Sequence, residues 1–184
     1  MLRLACDTAA VDELLERLRS ATTSMSRLRD RVEAGEPWPL SRSYGAEPES
    51  SWGPPEVLAH VAEMIPYWLG EIDRIVSGDP AAPVPFGRVA TDPDRIERIG
   101  RDRELPFGEL FDRIERSSND AASVIATLSR AERARVGSHP RRGEMSVSDS
   151  FEQFSVRHLE EHVEQLEDVV SSRETDGGTD RAAG

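Results

Sequence analysis

Four stretches of the chain repeat apolar residues every three to four positions, and this rhythm constrains the fold more than any other feature. Such a repeat places apolar side chains on one face of an α-helix. The stretches cover residues 8–32, 52–76, 106–130 and 146–171. Nowhere does the sequence alternate apolar and polar residues as a half-buried strand would. The sequence therefore predicts an all-α protein, a four-helix bundle that buries the four apolar faces together.

The connection between the second and third helices is the longest of the chain. Residues 78–105 begin with several prolines and a glycine, which break regular structure. Asp92 and Pro93 then have the residue types of a helix N-cap and a first helical position, so we expect a short helix there. A connection of this length indicates a crossover between helices two and three rather than a tight hairpin.

Composition and charge limit the classes of function. The length of 184 residues suits one domain, which we assign to residues 1–170, followed by a disordered tail at residues 171–184. The net charge of −12 disfavours nucleic acid as a partner, because its phosphates would be repelled. No apolar run predicts a membrane span or a secretory signal, so we expect a cytoplasmic protein. The absence of lysine excludes a P-loop, and a single cysteine excludes sulfur-rich zinc sites.

Two of the four histidines, His158 and His162, lie one helical turn apart in the fourth stretch. Both fall in its apolar stripe, so both imidazoles point toward the core. A buried imidazole without a partner costs about 1–3 kcal/mol, so each ring needs a metal or a hydrogen-bond partner. For the pair alone two interpretations stay open: ligands of a divalent metal, or core histidines bonded to backbone or serine. Leu159 follows the first histidine, so this is not the zinc-protease motif H-E-x-x-H.

His60 is the candidate for a third ligand, at the edge of the apolar face of the second helix. If the second and fourth helices are neighbours, three imidazoles converge. Three protein nitrogens leave a coordination position of a metal open, as in catalytic sites. The remaining histidine, His139, lies in a loop with Arg141 and Arg142. We expect it to be exposed and do not count it as a ligand; the two arginines either steer an anionic substrate or are simply solvated.

These features resemble the DinB/YfiT-like metalloprotein superfamily. The matching segments are Trp52-Gly-Pro-Pro-Glu-Val-Leu-Ala-His60, which opens the second helix, and Ser146-Val-Ser-Asp-Ser-Phe followed by His158-Leu-Glu-Glu-His162. The resemblance covers roughly residues 9–170. It implies a bundle with a long crossover and a homodimer. It also implies one divalent metal on His60, His158 and His162, with zinc as the first expectation and nickel or iron as alternatives.

The resemblance also implies an activity. Members of the superfamily include S-transferases that use bacillithiol, mycothiol or glutathione, and mycothiol-dependent maleylpyruvate isomerase. We therefore expect a metal-dependent transferase or isomerase that acts with a low-molecular-weight thiol. Glu161 is the candidate catalytic residue, to orient an imidazole or relay a proton. Met64 and Tyr67 would line the cosubstrate pocket. A surface glutamate and ordinary packing are the simpler alternatives for these three residues.

Two other functions remain open at this stage. A metal-dependent hydrolase that uses a bound hydroxide would share the three ligands and need no thiol. A helical scaffold with a vestigial metal site would need no chemistry at all. Ferritin-type di-iron chemistry is disfavoured, because no helix offers the Glu-x-x-His pairs that such sites require.

Overall fold

Helices account for most of the computed structural model, which describes residues 2–42 and 49–181. The predominantly helical architecture that the apolar rhythm predicts is confirmed. In chain order the elements are α1 (Leu2–Arg27), α2 (Arg29–Ala34), a 3₁₀ turn (Glu49–Ser51), α3 (Pro54–Ser77), β1 (Val84–Pro85), α4 (Pro93–Asp102), α5 (Phe107–Thr127), α6 (Arg130–Arg133), β2 (Val136–His139), β3 (Gly143–Ser146), α7 (Val147–Phe151), a π-helical turn (Glu152–Val156) and α8 (Arg157–Arg181).

The core lies between the long helices of the described chain. Helix α3 packs against α5 and α8, and α1 packs against the same two helices. Burying one large apolar side chain contributes about 1.5–3 kcal/mol, so the shared faces hold the helices together. Fully buried members of this core include Leu18, Met25, Val57, Leu58, Met64, Ile65, Leu110, Phe111, Phe151 and Leu159.

A small three-stranded sheet accompanies the helices, so the expectation of a chain without strands was wrong. Strand β1 runs parallel to β2, with Val84 opposite Gly137, and β2 runs antiparallel to β3, with His139 opposite Gly143. Strands of two to four residues are too short for an alternating pattern to stand out in the sequence. Gly137 permits close packing, since a Cβ at this position would lie 2.5 Å from Phe86. The sheet places His139 against the helices.

The connection between α3 and α5 contains the short helix that the sequence predicts. The side chain of Asp92 accepts a hydrogen bond from the backbone N–H of Arg95 at 3.1 Å, and Pro93 occupies the first helical position. Helix α4 packs on α3 and buries Ile99 completely. This packing also buries Arg95, whose guanidinium lies 5.4 Å from the ring centroid of Trp52.

The fourth helical stretch contains a π-helical turn that periodicity did not predict. It begins at a capping box, in which Ser146 Oγ accepts from the N–H of Asp149 at 3.1 Å. The wider turn at Glu152–Val156 inserts extra backbone and rotates the residues that follow it. As a result Leu159 and Val170 are buried, although a regular helix would have placed Val169 in the stripe.

Helix α8 extends past the predicted start of the tail and runs to Arg181. Arg31 on α2 bonds to Glu174 at 2.8 Å and to the hydroxyl of Ser171 at 3.0 Å. These contacts tie the first turns beyond residue 170 to the rest of the protein. The division of the chain at residue 170 therefore falls inside a helix, and the domain assignment itself stays a prediction.

Candidate metal centre

Three imidazoles from two helices meet at one point. The ring centroid of His60 on α3 lies 5.2 Å from that of His158 and 5.1 Å from that of His162. The two rings on α8 stack at 4.7 Å. His60 and His162 are buried, with 3% of each side chain exposed, whereas His158 is 22% exposed. The structure thus brings together all three candidate ligands and leaves one of them accessible.

Glu49 joins the three histidines from the 3₁₀ turn before α3. Its carboxylate oxygens lie 3.3 Å from Nε2 of His158, 3.7 Å from Nε2 of His162 and 3.9 Å from Nε2 of His60. One ligand atom from each of the four residues lies within 4.8 Å of all the others. Zinc bonds of about 2.0–2.2 Å place tetrahedral ligand atoms roughly 3.4 Å apart. Modest side-chain shifts therefore separate this cluster from coordination geometry.

The outer nitrogens of the two buried rings are already bonded. Nδ1 of His60 lies 3.1 Å from Oε1 of Glu63, and Nδ1 of His162 lies 3.0 Å from Oε1 of Gln165. The amide nitrogen of Gln165 donates to the carbonyls of Glu49 and Trp52, at 2.5 and 3.3 Å, which fixes its oxygen as the acceptor. Both Nδ1 atoms therefore donate, and both Nε2 atoms carry a lone pair.

Those two Nε2 atoms are the strongest sign of a metal. Nε2 of His60 and Nε2 of His162 are buried and find no hydrogen-bond partner among the described residues. Leaving a buried acceptor unpaired costs about 1–3 kcal/mol. Two lone pairs that face the same point, with a carboxylate beside them, fit a divalent cation. The donor set of imidazole and carboxylate is one that zinc accepts, as do nickel and iron.

A buried carboxylate and arginine stand behind His60. Both oxygens of Glu63 accept from Nη2 of Arg88 at 2.6 Å, and the Arg88 guanidinium lies 3.7 Å from the ring centroid of Tyr67. Burial raises the pKa of Glu63, and Arg88 opposes that rise. A histidine that donates to a carboxylate is held in one tautomer and becomes a stronger ligand. Arg88, Glu63 and His60 thus form a chain that orients the ring.

The protonation states of the cluster near neutral pH favour the binding of a cation. Burial, reinforced by the neighbouring imidazoles, lowers the pKa of His60 well below its ordinary value and that of His162 to about 4. Burial alone would raise the pKa of Glu49, but its hydrogen bond with His158 and the positive charge of Arg95 lower that pKa overall. Neutral imidazoles and an ionised carboxylate are the forms that bind metal ions.

A cleft of about 550 Å³ opens onto the cluster. One wall is aromatic: the rings of Trp68 and Phe154 stack at 4.0 Å, and His139 lies 5.1 Å from Phe154. The rest of the lining combines Val89 and Ala90 with polar side chains, four of which are arginines. The lining residues are Glu49, His60, Trp68, Arg88, Val89, Ala90, Thr91, Arg95, His139, Arg141, Arg142, Gln153, Phe154, His158 and Glu161. A small molecule in this cleft would reach the exposed ring of His158.

The other predicted site residues lie apart from the cluster. Glu161 is exposed at the cleft and accepts from Arg157 at 3.0 Å. Glu63 and Gln165, rather than Glu161, contact the rings of His60 and His162. Met64 is completely buried in the core, and Tyr67 is half-buried beneath Arg88; neither lines the cleft. The catalytic role of Glu161 and the binding roles of Met64 and Tyr67 stay predictions.

His139 is buried, and the expectation of an exposed loop histidine was wrong. Its Nδ1 accepts from the backbone N–H groups of Arg141 and Arg142, each at 3.2 Å. Gly87, at φ +83°, makes room for the ring, since a Cβ there would lie 2.4 Å from it. The segment Pro140-Arg-Arg-Gly143 forms the turn between β2 and β3, and Gly143 adopts φ +76° there. The glycine was the feature of the sequence that could have indicated a hairpin.

Sequence reasoning missed four further residues of the site. Glu63 follows His60 by three positions, a spacing that brings side chains together on a helix and could have been read as a histidine–carboxylate pair. Glu49 and Arg88 lie in connections, where periodicity carries no information, and Arg95 lies in the short helix α4, whose packing partners the sequence does not reveal. Arg95 forms an ion pair with Glu49, so α4 holds the fourth member of the cluster in place.

One comparison with known proteins identifies a family. A family model described as the DinB superfamily matches residues 8–166, a range that contains His60, His158 and His162. No curated protein matches the chain. Among the described helices, none is both long enough and apolar enough to cross a membrane.

Proposed function

We propose a metal-dependent enzyme, since the chain belongs to the DinB superfamily and brings three histidines and a glutamate to one point. His60, His158 and His162 would hold a divalent cation, with zinc as the first candidate and nickel or iron as alternatives. Glu49 is a fourth donor. The observation that carries the proposal is the pair of buried, unpartnered Nε2 atoms on His60 and His162.

The proposed reaction is of the transferase or isomerase type and uses a low-molecular-weight thiol such as mycothiol. A cation held by these residues would lower the pKa of a thiol that reaches it. The residues of the chain supply access, shape and a proton acceptor. The cleft leads to His158, the stacked rings of Trp68 and Phe154 form its apolar wall, and Oε2 of Glu49 is a carboxylate oxygen within 3.3 Å of the His158 ring.

A metal-dependent hydrolase is the second candidate, and Glu49 is the observation that favours it. A carboxylate beside the cluster can accept a proton from water as readily as from a thiol. The two functions differ in the ligand they require. A thiol must bind tightly near His158 for a transferase, whereas a hydrolase needs only water and an electrophile.

The decisive experiment measures metal content first and thiol binding second. Elemental analysis of freshly purified protein should find a single metal ion in the wild type and little in His60→Ala. His139→Gln is the matched control, because it removes a buried imidazole of the same cleft without touching the cluster. Calorimetric titration of the loaded protein with mycothiol, bacillithiol and glutathione should then show binding by one of them.

Three outcomes separate the proposals. Metal in the wild type with thiol binding supports the transferase or isomerase, and metal without thiol binding favours the hydrolase. A wild type that purifies without metal and gains none on incubation contradicts both and leaves a helical scaffold. We also infer, from the resemblance, a four-helix bundle with a crossover between α3 and α5. The resemblance further implies a homodimer, and light scattering, which measures the molar mass, tests that state.

A further inference from the structure

The cleft beside the cluster carries positive charge in a protein that is strongly acidic. The chain has a net charge of −12, yet among the described residues four arginines and two glutamates line this cleft. Low-dielectric walls that carry one sign of charge concentrate ligands of the opposite sign. The excess of positive side chains is therefore local to this cleft, because the whole chain has an excess of negative ones.

Two of the four arginines are already used inside the protein. Arg88 is paired with Glu63, and Arg95 is paired with Glu49. Both guanidiniums are largely buried, so they support the ligands of the cluster. The other two, Arg141 and Arg142, are exposed and have no ion-pair partner among the described residues. These two remain to bind something that enters the cleft.

The backbone of the two free arginines is held in place. Their N–H groups both donate to Nδ1 of His139, and the antiparallel pair of His139 and Gly143 closes the turn that carries them. The Arg142 guanidinium lies 5.5 Å from the ring centroid of Phe154. A fixed turn and an aromatic support reduce the freedom that the two side chains would lose on binding a ligand.

We propose that the substrate of this site carries a carboxylate, bound by Arg141 and Arg142, next to an apolar part that packs against Trp68 and Phe154. The guanidinium fork matches a carboxylate with two parallel hydrogen bonds. Glu161 on the same cleft makes a singly charged group a better match than a phosphate dianion. This inference names the substrate class of the enzyme proposed above and rests on that proposal.

The test compares two probes of equal shape and different charge. Benzoate and benzamide are titrated into wild type, into Arg142→Gln and into the double variant Arg141→Gln/Arg142→Gln, by calorimetry. Benzoate should bind the wild type at least about tenfold more tightly than benzamide does, and the double variant should lose about tenfold in benzoate affinity. Benzamide affinity should change less than about twofold, because it makes no ionic contact. High salt should weaken benzoate binding alone.

Arg116→Gln is the matched control, since it removes one exposed arginine from α5 outside the cleft. It should leave the benzoate affinity unchanged, whereas Arg142→Gln lowers it. Equal affinities for benzoate and benzamide, or a double variant that still binds benzoate as the wild type does, would overturn the inference. A loss of equal size in Arg116→Gln would also overturn it, because net charge rather than the cleft would then be responsible.

The metal-free protein distinguishes this failure from failure of the metal proposal. Each titration is repeated after chelation, with metal content measured in both preparations. A chelated protein that still prefers benzoate supports the carboxylate site, whereas an untreated protein that holds no metal and gains none on incubation contradicts the metal centre. A loaded protein that shows no preference contradicts the carboxylate site alone. Benzoate binding that needs the metal and ignores both arginines places the carboxylate on the ion and overturns the inference.

Discussion

Removing the metal that we propose for the cluster should destabilise the protein, and the size of the effect follows from the two buried rings. Without a cation, Nε2 of His60 and Nε2 of His162 stay unpaired in the interior. At about 1–3 kcal/mol for each unpaired atom, the metal-free fold loses about 2–6 kcal/mol relative to the loaded fold. Linkage gives a similar figure, about 4 kcal/mol at a free metal concentration one thousand times Kd.

The assay is thermal unfolding of the loaded and the chelated protein. For a chain of this length each kcal/mol shifts the melting temperature by roughly 2–4 °C, so we expect a difference of roughly 5–20 °C. His60→Ala should melt at one temperature with or without added metal, because it has lost a ligand. Equal melting temperatures for wild-type samples whose metal content is known to differ would refute the reasoning, since the rings would then have found partners of their own.

Three further predictions concern the residues around the rings. Gln165→Leu should weaken metal binding by about 10–100-fold in competition titrations with a chelating dye, because Nδ1 of His162 loses its acceptor; an unchanged affinity would show that the ring is held by packing alone. Protonation should also matter: the pKa of His162 is lowered from 6.5 to about 4 in the fold. The unfolded chain therefore binds more protons between these values, and the free energy of unfolding of metal-free protein should fall as pH drops from 6.5 to 4. Urea titrations across that range check the slope, and His162→Gln should reduce it to the part that His60 contributes; an equal slope in the variant would assign the effect to other groups. Gly87→Ala should destabilise the fold by about 1–3 kcal/mol or more, because φ is +83° and the new Cβ would meet the His139 ring; an unchanged urea midpoint would contradict the packing described for that ring.

Helical periodicity was enough to predict the two helices that carry His60, His158 and His162. His60 lies among Val57, Val61 and Met64, so its face was legible from the sequence. The spacing of His158 and His162 brought their rings together whatever happened earlier in that helix. What periodicity could not supply was the neighbour relation between α3 and α8, which depends on packing between distant segments. The resemblance to a family supplied that relation for the three histidines.

Helical periodicity did not predict the π-helical turn at Glu152–Val156. A regular helix from Val147 onward would have kept one stripe throughout, whereas the extra backbone at Glu152–Val156 changes the face that is buried after it. Leu159 turns fully inward, and His158 keeps an exposed edge toward the cleft. Such turns are frequent at functional sites, because they give neighbouring residues directions that a regular helix cannot. Their local energetic cost leaves no simple pattern in a single sequence.

Glu49 could not be predicted because it lies in the 3₁₀ turn Glu49–Ser51, whose position depends on side chains from distant helices. The 3₁₀ turn that carries it is held by one side chain of α8: the Gln165 amide donates to the carbonyls of Glu49 and Trp52 and accepts from the ring of His162. Arg95 on α4 holds the carboxylate from the other side. The position of Glu49 and the orientation of the His162 ring therefore depend on the amide group of Gln165. A shift of the 3₁₀ turn would loosen the His162 ring. Conversely, a cation bound by the cluster would hold the 3₁₀ turn in place.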